Sequence, residues 1–135
     1  MRLILFTLLS FFTSTLNAQN KEIPHSIKSA FTGRWGYKTS FQTNTVVIWF
    51  DQGKDYANFK DIGSGMAPPQ TFRAKVKGNL LIIPAKQGQN DEIEITVIKG
   101  KLYLSIKQIV WDKKGNILKR GSIERKIFKR IAEHK

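Results

Sequence analysis

The chain has 135 residues, a mean hydropathy of −0.30, a formal net charge of +13 and no cysteine. Without cysteine there is no disulfide framework, thiol nucleophile, thiolate metal site or lipid-modified cysteine. Two histidines and ten Asp and Glu residues leave little material for metal binding or acid–base chemistry.

MRLILFTLLSFFTSTLNAQN opens with Arg2 and an apolar run from Leu3 to Phe12 broken only by Thr7 and Ser10. A basic start, an apolar middle and a small residue at Ala18 predict a secretory signal peptide over residues 1–18, cut near Ala18. The run is too short to span a bilayer, which needs about 20 apolar residues. The expected product is a soluble, unanchored protein, periplasmic or secreted. A lead over residues 19–32 follows, in which Ile27, Ala30 and Phe31 can share one face of a short helical turn. A barrel is expected over 33–131 and a tail over 132–135.

From Gly33 onward the segments read as strands. GRWGYKTS sets Trp35, Tyr37 and Thr39 against Arg34, Lys38 and Ser40, and TVVIWF is apolar on both parities. Asp51-Gln52-Gly53-Lys54 turns into the weaker strand YANFKDI. TFRAKVK alternates cleanly, and Gly78-Asn79 turns it into LLIIPAK. EIEITVI sets Ile93, Ile95 and Val97 against Glu92, Glu94 and Thr96. In LYLSIKQIVW, Leu102, Leu104, Ile106 and Val110 share a parity. The last segment, ILKRGSIERKIFKRI, is open to two readings. Ile123, Ile127 and Ile131 fit a strand's period, but with Phe128 they also fit a helix. The strand is favoured because a closing barrel needs a partner and isoleucine suits it. Sequential strands with tight polar turns predict an all-β, antiparallel, up-and-down barrel of about eight strands.

A short helix followed at once by Phe31-x-Gly33-x-Trp35 resembles the first block of the lipocalin-like (calycin-type) barrels, where G-x-W opens the first strand. The T-D-Y block of typical lipocalins is missing, its turn reading KGKLYL. The resemblance is therefore to the looser bacterial lipocalin-like group. It implies that Trp35 plugs the closed end of the barrel beneath an arginine of the last strand, either Arg125 or, with the register slipped, Arg130. A guanidinium over an indole is a favourable pair, and Gly33 would allow their close approach. The bland alternative is that Trp35 is an ordinary core aromatic. Either way its role is structural.

Catalysis is not expected, nor is a cofactor, a metal or a specific nucleic acid. His25 and His134 lie in the leader and the tail. Glu92 and Glu94 read more simply as a solvated strand face than as a catalytic pair. Asp51, Asp55 and Asp61 are too few at loop spacing for calcium. Cations cluster late, at Lys113, Lys114, Lys119, Arg120, Arg125, Lys126, Lys129 and Arg130. Such a field attracts anionic lipid or polysaccharide, unless it serves solubility alone. GSGMAPPQ, residues 63–70, is expected at the open rim, where Phe59, Met66 and Phe72 would line a site for a small apolar ligand. The expected work is non-catalytic binding, of such a ligand or of an anionic envelope surface. The alternative is a filled barrel that binds a protein partner.

Overall fold

The computed structural model describes residues 22–132. The signal-peptide expectation and the last residues of the tail fall outside that range. One short helix, α1 (His25–Phe31), leads into β1 (Gly33–Lys38), β2 (Thr43–Trp49), β3 (Tyr56–Gly63), β4 (Gln70–Lys77), β5 (Leu80–Ile83), β6 (Glu92–Ile98), β7 (Lys101–Trp111) and β8 (Ile117–Arg130). The eight strands pair antiparallel in chain order and close into a barrel. Closure rests on β1 against β8 at Trp35↔Arg130 and Gly36↔Lys129. Just beyond, the Ile131 amide donates to the Arg34 carbonyl at 2.8 Å.

Pleating decides which side chains fill the interior. On β6 and β7 the facing pairs Ile93↔Ile106, Ile95↔Leu104 and Val97↔Leu102 all point inward. The alternate positions Glu92, Glu94 and Thr96 face outward, as their parity predicts. Every strand contributes at least one interior side chain between 0 and 4 % exposed, among them Trp35, Ile48, Phe59, Ala74, Leu81, Ile95, Leu102 and Phe128. Together these buried side chains form one hydrophobic cluster that packs the middle of the barrel.

Two features depart from the sequence expectations. β7 meets a bulge at Gln108, which faces both Gly121 and Ser122 of β8 where the register shifts between Lys107 and Ile109. It rotates the strand, so Ile109 is buried while Val110 is only half-buried. The larger change is on β8. Its even positions, Lys126 and Phe128, are the buried ones, whereas Ile123, Ile127 and Ile131 are 48, 49 and 38 % exposed. The isoleucines read as the apolar face of this strand lie on the outside of the barrel.

β7 and β8 outrun their neighbours. β6 accompanies β7 only as far as Lys107, opposite Glu92. Beyond it the two strands continue as a ribbon to Trp111↔Ile117 and the turn at Asp112. There the Asp112 carboxylate accepts the Lys114 and Asn116 amides at 2.8 and 2.9 Å.

Candidate functional site

At one end the barrel is sealed. Ile27, Ala30 and Phe31 fall at i, i+3 and i+4, so α1 lays one apolar face on the core, with Phe31 buried. Trp35 has no exposed surface, and its indole N–H donates to the Phe31 carbonyl at 2.9 Å. The Arg130 guanidinium carbon lies 4.2 Å from the centre of the Trp35 ring. Its Nη2 donates to the Ala30 carbonyl at 2.9 Å and its Nη1 to the Thr32 carbonyl. Arg130 thus ties the last turn of α1 to the start of β1 while capping the indole.

The arginine over Trp35 is therefore Arg130 and not Arg125. Arg125 pairs across to Ser105 on the outward parity of β8, and a strand's period of two forbids it from reaching the interior. Gly33 has the approach role expected of it. A Cβ there would lie 2.6 Å from Arg130 Nη1, and its φ of +141° strains any other residue.

The opposite end is open and polar. The hairpin turn after β1, the loop GSGMAPPQ and the loop after β5 all lie here, away from α1. Tyr37 sits opposite Asn44 in register, on the same inward parity as Trp35 and Val46. Lys126, opposite Leu104, is 9 % exposed, and its ammonium lies 5.6 Å from the centre of the Tyr37 ring. Tyr37 in turn packs on Phe128, ring centres 5.6 Å apart. The carboxylate nearest Lys126 is Glu124, at 3.7 Å, a side chain itself 63 % exposed. Asn44 Oδ1 is buried and accepts no hydrogen bond from the described residues. Half-buried Phe72 and Ile106 complete the mouth above the packed core. Shallow depressions flank it, about 270 Å³ beside Ile106 and Glu124 and about 410 Å³ beside Gln70 and Phe72.

Of the three residues expected to line a ligand, Phe59 and Phe72 are cross-strand partners and Met66 stands apart. Phe59, 1 % exposed, belongs to the packed core, and Phe72, its partner across β4, stands half-buried at the mouth. Met66 is 94 % exposed on the rim loop, away from the interior. The basic surface also divides. Lys113, Lys114, Lys119 and Arg120 ride on the β7–β8 ribbon, with Arg120 3.7 Å from Glu92. Arg125 and Lys129 lie on the outer wall. Lys126 leaves the basic surface, because its parity turns it inward under Tyr37, while Arg130 stays exposed but is engaged over Trp35.

Several carboxylates are occupied locally. Glu94 and Glu92 meet Lys107 at 3.0 and 3.7 Å. Asp51 accepts from Asn58, and Asp61 from the Gly63 amide, each at 2.9 Å. Among the described residues no group of three or more His, Cys, Asp and Glu is placed to hold a metal ion. Asn44 and Lys126 were the signals that sequence reasoning missed. A lysine two residues from an inward phenylalanine on a closing strand is the pattern that would have found the second.

No protein-family model matches the chain, and no curated protein matches it.

Proposed function

We propose that the protein is a secreted or periplasmic, lipocalin-like, non-catalytic binding protein that takes a small amphiphile, anionic head first, at the polar mouth of its barrel. The observation that carries this is Lys126. Its side chain is nine-tenths buried, yet among the described residues its ammonium meets one carboxylate, Glu124 at 3.7 Å, which is itself 63 % exposed. Burying a charge is costly unless it is paired and hydrogen-bonded. A ligand carboxylate at the mouth supplies that pairing, and Phe72 and Ile106 offer its short tail an apolar wall. The packed interior below restricts the ligand to one that stays near the rim. The leader MRLILFTLLSFF supports export, and the helix–G-x-W start under a terminal arginine supports the lipocalin-like reading.

Calorimetric titration with octanoate, and with octanol as its uncharged counterpart, tests the proposal. Octanoate is expected to bind at least about tenfold more weakly to Lys126→Met, the loss of one charge-assisted contact, while octanol does not distinguish the two proteins. Equal octanoate affinity in both removes Lys126 from any binding role. No octanoate binding to the wild type favours the second reading, a filled barrel that engages a protein partner, for which the solid core is the supporting observation.

A further inference from the structure

We propose that the outer wall made by β7, β8, β1 and β2 docks the protein on an anionic phospholipid bilayer. These four strands are contiguous around the closed barrel. Their one carboxylate, Glu124, shares the inward parity of Lys126 and Phe128. The outward positions carry Arg34, Lys38, Lys101, Arg125 and Lys129, none of them within salt-bridge distance of a carboxylate among the described residues. The acidic strand faces, Glu92 and Glu94, lie on β6 and are met by Lys107.

Along β8 the wall alternates Ile123, Arg125, Ile127, Lys129 and Ile131, so aliphatic and cationic side chains leave the same surface in turn. Tyr103 stands beside Ile127, and Ile131 borders a groove with Arg34, Val47 and Trp49. Isoleucine suits a strand by propensity, but three in one outward row, 38 to 49 % exposed, leave a stripe of apolar surface between the cations. The spacing matches an interface in which cations meet lipid phosphates while aliphatic and aromatic groups enter the acyl boundary. A barrel wall is convex, and its isoleucines are separated by charges. It therefore offers no concave, continuous apolar pocket of the kind that anchors a protein partner. A second copy of the chain is disfavoured by charge, because stacking two such walls opposes Arg125 and Lys129 to their own copies. A fluid anionic surface meets both requirements at once.

Vesicle co-sedimentation of a chain from Gln19 onward tests this. That chain keeps every core residue, from Ile23 to Phe128, and omits the apolar leader, which would bind lipid by itself. Binding is expected to phosphatidylcholine vesicles containing phosphatidylglycerol, to fall with added salt, and to be absent with phosphatidylcholine alone. Ile123→Ser with Ile127→Ser, and separately Arg125→Gln with Lys129→Gln, should each lower partitioning about tenfold. The ribbon pair Lys113→Gln with Lys114→Gln should lower it less. All four wall positions face solvent, so near-ultraviolet circular dichroism should stay that of the wild type. The proposal is overturned if the isoleucine variant binds vesicles as the wild type does, or if the ribbon and wall charge variants lose equally. It is also overturned if soluble heparin is bound as tightly as vesicles and indifferently to the isoleucines.

Discussion

The two ends of this barrel solve opposite problems with the same kinds of residue. At the helix end a cation, an aromatic and backbone acceptors are matched: Arg130 lies over Trp35, and its donors reach Ala30 and Thr32. At the rim a cation and an aromatic, Lys126 and Tyr37, are also neighbours, yet among the described residues the ammonium has no comparable set of acceptors and Asn44 Oδ1 has no donor. The contrast separates a finished site from an unfinished one. A guanidinium whose donors are satisfied by its own chain holds structure. A lysine whose side chain is nine-tenths buried, with one largely exposed carboxylate at 3.7 Å, is suited to an external partner.

The comparison can be broken most forcefully at Trp35. Trp35→Ala empties the sealed end, and truncating a buried aromatic typically costs about 3–5 kcal/mol, a large part of a small domain's stability. The urea midpoint should fall sharply, and a near-wild-type midpoint would mean that the seal is not part of the core. Arg130→Met is expected to cost about 1–2 kcal/mol. It removes hydrogen bonds from a charged donor and the stacked cation, both partly screened by solvent. Arg125→Met on the same strand should stay within about 0.5 kcal/mol of wild type, as exposed substitutions do. Equal losses at the two arginines would overturn the register. Gly33→Ala should resemble Arg130→Met, because its new methyl displaces the guanidinium and its backbone is strained at φ +141°.

Much of this was legible in the sequence, and one strand shows why the rest was not. Parity placed Ile93, Ile95, Val97, Leu102 and Leu104 inside because those strands have one clearly apolar and one clearly polar face. β8 has neither. Its outward parity holds isoleucines and its inward parity holds Lys126 and Arg130, so hydrophobic pattern alone selects the wrong face. Choosing between Arg125 and Arg130 as the cap was the same decision as choosing the parity of the strand. Chain direction resolves it. Trp35 is the third residue of β1, so an antiparallel closing strand reaches it only near its own end, where Arg130 lies. The bulge opposite Gln108 was likewise hidden, since the slip in register shows only once β7 and β8 are paired. Asn44 looked like an ordinary strand residue because its isolation is visible only once Tyr37 stands opposite.

At the rim the expected stability effect is smaller and of opposite sign. Replacing an imperfectly paired buried cation by an apolar side chain of similar length is often neutral or stabilising. Lys126→Met should therefore leave the urea midpoint unchanged or raise it by the equivalent of about 1 kcal/mol. A clear destabilisation would show that Lys126 already has the partners it needs, making the two ends alike. Smallest of all is Met66→Asp. That side chain is 94 % exposed, and the change should alter neither stability nor octanoate binding measurably.

The measurement that tests the account most directly is a nuclear magnetic resonance titration of the labelled chain with octanoate. The account predicts shifts at Tyr37, Asn44, Phe72, Ile106 and Lys126, while the indole N–H of Trp35 and the methyl groups of Ile48 and Leu81 stay in place. Shifts that centre on Trp35, Ile48 and Leu81 would contradict it, because they would place the ligand in an interior that the barrel is described as filling.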